Sequence, residues 1–209
     1  MRSLFSATLG QPLSKALGLK MPSHSEVTIR EFLKLCDWLL QSWQIRKYLF
    51  DENEDLDLLR TPRHANFFYR VQENLQENWL HQLAKLHDPA VQGSNINLSI
   101  DYIIDFGSWD NDFKNNLLTI KNKMTRLSEP ARTARNKTLS HNDLKIILEN
   151  NEPLGTFNDD EDKIYFSALI DFCNLVSQEV LNERFCYDDL VQNDVACFMS
   201  QFRRGEPIN

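Results

Sequence analysis

The sequence predicts an all-α protein, an antiparallel helical bundle of about five to seven helices. Only six Gly and seven Pro occur among 209 residues, so few positions interrupt a helix. Apolar residues recur at spacings of three and four, which places them on one face of a helix. No run of alternating β-branched residues is long enough to form a sheet. With 42% apolar residues, the chain can bury one sizeable core.

The first half of the chain contains two long amphipathic patterns. One begins at Thr28, and Ser25 can cap the start of its helix. The other runs from about Pro62 to His87, where Asp88-Pro89 ends it because a residue before proline disfavours helical geometry. The stripe of the first helix consists of Ile29, Phe32, Leu35, Cys36, Leu39, Leu40 and Trp43. These two segments are expected to pack against the rest of the bundle.

The middle of the chain predicts a short helix and then a longer one. Asn97 or Ser99 can cap the short helix through Ile103 to Phe106. Apolar residues from Phe113 to Leu127 follow at spacings of four and three, as in the seam of a bundle helix. This second helix is expected to bury that seam.

A new helix is expected at Ser128-Glu129-Pro130, because proline suits the first turn of a helix. It should end near Ser140, and Asn142-Asp143 can cap a brief segment from Leu144 to Leu148. The sequence therefore predicts three separate helices between about Phe113 and Leu148.

The last third predicts a long helix through Tyr165 to Val180, after a loop. A terminal piece, about Val191 to Phe202, is expected either to pack on the bundle or to swap to a partner. Residues 1–22 are expected to form an N-terminal arm, flexible or docking, and residues 23–209 a single helical domain.

Several classes of function find no support in the sequence. Neither a GxGxxG nor a GxxxxGK[ST] loop occurs, so no cofactor is predicted. The four cysteines have no zinc-ligand spacing, no HExxH occurs, and no metal is predicted. No apolar run of about 18 residues predicts a membrane span, and the start lacks the apolar region of a secretory signal. A cytoplasmic protein with reduced thiols is expected, in which Cys36 and Cys173 are buried as small hydrophobic residues.

Two polar groups of residues are expected to be ordinary surface. Residues 158–162 are acidic but lack the spacing of a calcium loop, and a solvated loop before a helix is expected there. His64, His81 and His87 flank or line the second helix without ligand spacing, and surface or half-buried positions are expected.

The charge of the chain is unevenly distributed. The formal net charge is −7, yet residues 114–137 contain seven basic residues and one acid, a local charge of +6 that leaves −13 elsewhere. This stretch is either a basic face that seats a phosphate chain or a solvated helix face without a ligand.

Within the basic stretch lies Arg135-Asn136-Lys137-Thr138-Leu139-Ser140-His141. Imidazole can take or give a proton near neutral pH, and guanidinium can hold two phosphoryl oxygens. An amide such as Asn136 can orient the phosphate, while Arg132 and Lys137 are candidate RNA contacts. On a continuous helix, Arg135 and His141 would lie about 120° apart. They converge only if the helix ends between them, or if a second subunit supplies the other half.

These residues resemble the HEPN superfamily, whose signature is Arg, often a polar residue, four to six further residues and His. More narrowly, the AbiU-like abortive-infection branch is similar over about Glu31 to Val180. The resemblance rests on the motifs Leu86-His87-Asp88-Pro89, Asn97-Leu98-Ser99-Ile100, Arg135-Asn136-Lys137 and Ser140-His141-Asn142-Asp143.

The resemblance implies an all-α, HEPN-like bundle and a homodimer that joins two motifs in one cleft. It implies a metal-independent endoribonuclease that leaves 2′,3′-cyclic phosphate ends and acts as a toxin or antiphage effector. Arg135 and His141 would be the catalytic pair and Asn136 the auxiliary residue.

The resemblance also bears on partners and on the alternative function. An antitoxin or neighbouring-gene partner is compatible with it, but the Tyr that nucleotidyltransferase partners modify in some HEPN toxins is replaced here by Asp143. Because some relatives only bind RNA or act as scaffolds, the alternative is a non-catalytic RNA-binding or protein-interaction module. In that module Arg135 would cap a helix and His141 would fix the turn.

Overall fold

The computed structural model describes residues 25–134, 157, 160–187 and 190–205. Within this part of the chain the α-helices are α1 (Glu26–Arg46), α2 (Leu56–Leu59), α3 (Ala65–Leu86), α4 (Ile100–Phe106), α5 (Asn111–Ala134), α6 (Glu161–Leu181) and α7 (Leu190–Gly205). A π-helical turn, Lys47–Asp51, continues α1. The predicted all-α class is confirmed.

Among the described residues, the β-structure consists of one small hairpin. Strands β1 (Val91–Gln92) and β2 (Asn95–Ile96) pair antiparallel between α3 and α4. Gly93 has φ +64° in the turn between them, a conformation that glycine adopts at no steric cost. The predicted turn at Gly93 is therefore a hairpin too short to form a wider sheet.

The four long helices enclose the core. Helix α1 packs on α3, α3 on α5, α5 on α6, and α6 back on α1. Helices α1 and α6 are antiparallel, because Arg30 near the start of α1 pairs with Glu183 just beyond α6, while Trp43 near the end of α1 bonds to Asp162 in the first turn of α6. The buried stripes that the sequence predicts therefore meet inside a bundle.

Aromatic residues form the centre of this core. Phe32 of α1 meets Phe172 of α6 edge to face, with ring centroids 5.9 Å apart. Trp43 stacks on Phe166 with centroids 4.2 Å apart. Such pairs stabilise a core beyond the burial of their area, so they help to fix how α1 and α6 pack.

The start of α1 has the predicted cap. Ser25 is extended, with φ −72° and ψ 152°, and its hydroxyl oxygen accepts a hydrogen bond from the amide of Thr28 at 3.2 Å. Glu26 in the first turn complements the positive end of the helix dipole. The prediction of a helix that begins just after Ser25 is confirmed.

We expect Ser25→Ala to lower the free energy of unfolding by about 1 kcal/mol, because the Thr28 amide loses its acceptor. Urea denaturation of the two proteins measures the difference. Ser25→Asp is the matched control, since its carboxylate keeps an acceptor and should retain the wild-type stability. Equal stability of Ser25→Ala and wild type would contradict this account of the cap.

The predicted helix break before Pro130 is wrong. Helix α5 runs without interruption from Asn111 through Pro130 to Ala134. Leu127, Ala131 and Ala134 are buried at spacings of four and three on one face. Burial of this face continues the helix even though proline supplies no amide hydrogen to the ladder. The predicted end near Ser140 lies outside the described residues.

Helix α7 lies at the end of the bundle where α1 ends and α3 begins. It is longer than predicted and packs on α1 and the π-helical turn. A second small hydrophobic cluster forms there, composed of Leu49, Phe50, Leu59, Phe68 and Met199. The terminal piece thus packs on its own bundle, where it adds a satellite to the single core that the sequence predicts.

Helix α6 is the one described helix with the length and mean hydropathy of a membrane span, 21 residues at 1.2. Its apolar residues Tyr165, Leu169, Phe172 and Val176 are fully buried against other helices of the bundle. A core helix of a soluble domain has these properties, so α6 is weak evidence for a membrane.

Three predicted segments lie outside the described residues. They are the arm over residues 1–22, the brief helix Leu144–Leu148 and most of the loop that precedes α6.

Candidate functional site

Helix α5 presents the described half of the basic stretch. Lys123 and Arg126 are exposed, whereas Lys121 is partly buried and pairs with Asp101 of α4, with Nζ 2.6 Å from Oδ1. Nζ of Lys114 likewise lies 3.9 Å from Oδ1 of Asp105 in α4. The pairs with α4 neutralise the early turns of α5, so its unshared positive charge lies toward its carboxyl end.

Arg132 is the one predicted site residue that the structure describes. Its side chain is 32% exposed, and its Nη1 lies 3.4 Å from Oε2 of Glu129 one turn earlier. An exposed pair of this kind is weak in water, so Arg132 remains able to exchange Glu129 for a phosphate. Arg135, Asn136, Lys137 and His141 lie outside the described residues.

The last residue of α5, Ala134, directly precedes Arg135 in the sequence. Ala134 is 2% exposed and Ala131 is also buried, so the helix is packed up to the point where the motif begins. In the sequence, the motif therefore begins directly after the packed end of α5.

His87 lies beneath this end of α5, and it is a residue whose role the sequence did not reveal. Its Nε2 lies 3.0 Å from the hydroxyl oxygen of Tyr165 in α6, and both side chains are buried. The expected surface or half-buried position is therefore wrong for His87, whereas His64 and His81 are half-buried as predicted. His87 follows Leu83 by four residues, and this spacing continues the apolar stripe of α3.

The surroundings of His87 keep it neutral. Burial, together with the smaller effect of the positive charges of Arg132 and Lys121, lowers the pKa of His87 to about 3. An imidazole with this pKa is not protonated near neutral pH. His87 is thus a structural link between α3 and α6 under the basic end of α5, and not an acid or base for chemistry at pH 7.

The acidic residues before and within the first turn of α6 serve the fold. Asp162 accepts a hydrogen bond from Nε1 of Trp43 at 3.1 Å, and Lys163 donates to Asp160 at 2.7 Å. The Lys163 ammonium holds the pKa of the exposed Asp160 carboxyl below its usual value. Within the described ranges, no group of three or more His, Cys, Asp or Glu is placed to hold a metal ion.

The cysteines divide into two kinds. Cys36 and Cys173 are buried, as predicted, and burial raises the pKa of the Cys36 thiol. Cys186 and Cys197 are exposed, and all four are free. The buried pair behaves as small hydrophobic residues between α1 and α6.

Comparison with known families decides the identity of this bundle. The HEPN_AbiU2 family model, described as AbiU2, matches residues 25–196. The chain belongs to the HEPN AbiU2 family. The match spans α1 to the first turns of α7 and includes every residue of the Arg135–His141 motif. Among curated proteins and among solved structures, nothing matches.

Membership of the AbiU2 family confirms the resemblance that the short motifs indicate. It places the chain among abortive-infection-related HEPN domains. The bundle described above agrees with the all-α architecture of that superfamily. Family membership establishes the class of domain.

Proposed function

We propose that this protein is a metal-independent endoribonuclease that acts as a toxin or antiphage effector in abortive infection. The observation that supports the proposal most is the position of the HEPN motif directly after the packed, basic end of α5. Because RNA is a polyanion, the basic end of α5 favours the binding of an RNA phosphate close to the motif. We propose that the reaction takes place in the cytoplasm.

The proposed reaction is an internal transfer at phosphorus. The 2′-oxygen attacks the adjacent phosphorus, the bond from phosphorus to the 5′-oxygen breaks, and a 2′,3′-cyclic phosphate and a 5′-hydroxyl result. Neutral His141 takes the proton of the 2′-hydroxyl, and protonated His141 gives a proton to the departing 5′-oxygen. Arg135 stabilises the charge that develops on the phosphoryl oxygens, and Asn136 positions the phosphate.

A homodimer completes the proposed site. Two motifs brought together at a two-fold axis would supply one imidazole as base and another as acid. We expect light scattering coupled to size-exclusion chromatography to give the mass of a dimer, twice 24.5 kDa. Cleavage of RNA at full rate by a monomer would contradict a site formed by two motifs. It would not contradict the chemistry proposed for a single motif.

Cleavage of total RNA and tRNA in EDTA tests the activity. We expect fragments on a denaturing gel that end in 2′,3′-cyclic phosphate, identified by their resistance to a phosphomonoesterase until the cycle is opened. Cleavage that requires an added divalent ion would contradict the mechanism. The same gel with RNA from infected cells would reveal which RNA is cut.

The alternative is a module that binds RNA or protein without cleaving. The exposed basic residues of α5 support RNA binding in either case, since they need no chemistry to hold phosphates. Salt-sensitive RNA affinity without any cleavage would favour this alternative. For the ribonuclease and for the non-cleaving module alike, we propose that an antitoxin or a neighbouring-gene partner regulates the protein.

We expect Arg132→Ala to weaken RNA binding equally for all sequences and to reduce the salt dependence of binding. For single-stranded RNA, the slope of log K against log salt should become less negative by about 0.7 for one lost phosphate contact. Fluorescence anisotropy in the His141→Ala background measures binding without cleavage. Arg204→Ala, an exposed change in the last turn of α7, is the matched control and should keep the slope. An unchanged slope in Arg132→Ala would exclude this contact.

A further inference from the structure

Helices α3 and α7 expose aromatic side chains next to each other. Phe67 in the first turn of α3 is 66% exposed, and Phe198 of α7 is 42% exposed. Both rings lie against the buried ring of Phe68, with centroids 5.1 Å and 6.4 Å from its centroid. Because one ring contacts both, the two exposed rings belong to one apolar surface, and surfaces of this kind mark interaction sites.

Arginines surround the exposed rings. Residues 60–72 contain three arginines and residues 195–205 contain two, with no acid in either range, and all five side chains are exposed. Arg70 follows Phe67 by three residues and therefore lies on the same face of α3. This basic surface stands out on a chain whose formal net charge is −7.

Two of the arginines have recorded contacts that leave the surface positive. Arg203 pairs with Asp55, just before α2, so one positive charge is neutralised. The guanidinium of Arg70 lies 5.8 Å from the centre of the Tyr69 ring, a contact that keeps its charge. We call this surface the α3–α7 patch, and it comprises Arg63, Phe67, Tyr69, Arg70, Phe198 and Arg204.

The charge and the ring packing disfavour two kinds of occupant. A two-fold contact centred on this patch would bring arginines against arginines, so a second copy of the chain is disfavoured. Bases of a nucleic acid would need free ring faces, but Phe198 is already stacked on Phe202, with centroids 5.8 Å apart and an interplanar angle of 26°. A hydrocarbon layer needs no free ring face, because any apolar area removed from water stabilises the contact.

An anionic lipid surface complements both features of the patch. Amphipathic surface elements bind such membranes by placing Phe and Leu at the boundary between headgroups and acyl chains, while Arg side chains lie among the lipid phosphates. Helix α7 also exposes Leu190, which is 57% exposed and lies about two turns before Phe198. The long arginine side chains can reach the phosphates while the rings lie deeper.

We infer that the α3–α7 patch docks this protein on a membrane surface that contains anionic lipid. The rings enter the headgroup region, and the arginines bind the lipid phosphates. The contact is peripheral, and α6 stays in the core of the bundle. The inference does not depend on the proposed ribonuclease activity.

Cosedimentation of the full chain with lipid vesicles tests the inference. One set of vesicles contains phosphatidylcholine alone, and the other contains equal parts of phosphatidylcholine and phosphatidylglycerol. We expect binding to be about tenfold stronger with phosphatidylglycerol, because several arginines contribute at an anionic surface. Binding should weaken as salt is added, since salt screens exposed charges.

Substitution of the exposed rings connects binding to the apolar part of the patch. Phe67→Ser and Phe198→Ser should each weaken binding to the anionic vesicles by about tenfold, the loss expected for one aromatic side chain. Trp38→Ser is the matched control, because Trp38 is 56% exposed on α1 and lies outside the patch. Melting curves identify any variant that does not fold, and Phe67→Ser has the more exposed ring of the two.

Substitution of the arginines tests the charged part. Arg70→Ala and Arg204→Ala should each weaken binding to the anionic vesicles by about fivefold and leave binding to phosphatidylcholine unchanged. Arg184→Ala is the matched control. Arg184 is exposed beside Glu183, which pairs with Arg30 near the start of α1, whereas α7 lies where α1 ends.

Three results would overturn the inference. The first is no binding to vesicles with phosphatidylglycerol, and the second is equal binding by the patch variants and their controls. The third is a loss of affinity for a 2′-O-methyl RNA in the patch variants with unchanged vesicle binding, which would assign the patch to RNA. Cleavage of RNA in EDTA is a separate measurement, so the membrane inference and the ribonuclease proposal can fail independently.

Discussion

Replacing His141 with alanine is expected to reduce RNA cleavage by about 10²- to 10⁴-fold, the contribution of a positioned general acid or base. The rate should fall through kcat, because the imidazole acts on protons that move in the transition state and contributes little to holding RNA. Single-turnover cleavage of a labelled RNA in EDTA measures the loss. His64→Ala, at a half-buried histidine of the opposite end of the bundle, is the control and should cleave normally.

Arg135→Ala separates the catalytic account from the structural one. Under the catalytic account, it should lose activity as severely as His141→Ala, and Arg135→Lys should recover only part because lysine cannot hold two phosphoryl oxygens at once. Melting temperatures of these variants should match wild type. If both alanine variants instead lose about 1 kcal/mol or more of stability, Arg135 caps a helix, His141 fixes a turn, and the interaction module gains support.

Acidification is expected to destabilise the bundle through His87. The pKa of His87 is about 3 in the folded protein and about 6.5 in the unfolded chain, so below pH 6.5 the unfolded state binds the additional proton. The contribution of the neutral imidazole is therefore complete above pH 6.5 and is lost as the pH falls toward 3. Between pH 7 and pH 5 the free energy of unfolding should fall by about 2 kcal/mol from this residue alone.

Urea denaturation at pH 7 and pH 5 measures this dependence in wild type and His87→Gln. Glutamine can still bond to the Tyr165 hydroxyl but does not titrate, so about 2 kcal/mol of the acid sensitivity should disappear. His81→Gln is the matched control at a half-buried position on the same helix. An acid sensitivity that is identical in wild type and His87→Gln would show that another group carries it.

Patterns in the sequence predicted the elements that depend on local spacing. The Ser25 cap and the extents of α1 and α3 were predictable, because a cap and a period of 3.6 involve only neighbours along the chain. The helix break before Pro130 was predicted from the same local rules and is wrong. Proline favours a helix start locally, but the buried face of Leu127, Ala131 and Ala134 lies against other helices, and that contact is invisible in a short window.

In the candidate site, too, the sequence revealed some features and only the structure revealed others. The Arg135–His141 motif is contiguous, so its residue types and its place in a basic stretch could be found by inspection, and the family match covers it. The His87–Tyr165 bond joins residues 78 positions apart, and the hydrogen bond from Trp43 to Asp162 joins residues 119 positions apart. Such contacts depend on how the helices pack, which the spacing along one helix does not specify.

The sequence by itself therefore determined the fold class, the main helices, the basic stretch and the motif, since each is encoded by residues close together in the chain. Only the tertiary structure decided that α5 passes through Pro130, that His87 is buried and neutral near Arg132, and that Trp43 of α1 bonds to Asp162 of α6. The physical reason is that burial and pKa depend on the neighbours that packing supplies from distant parts of the chain.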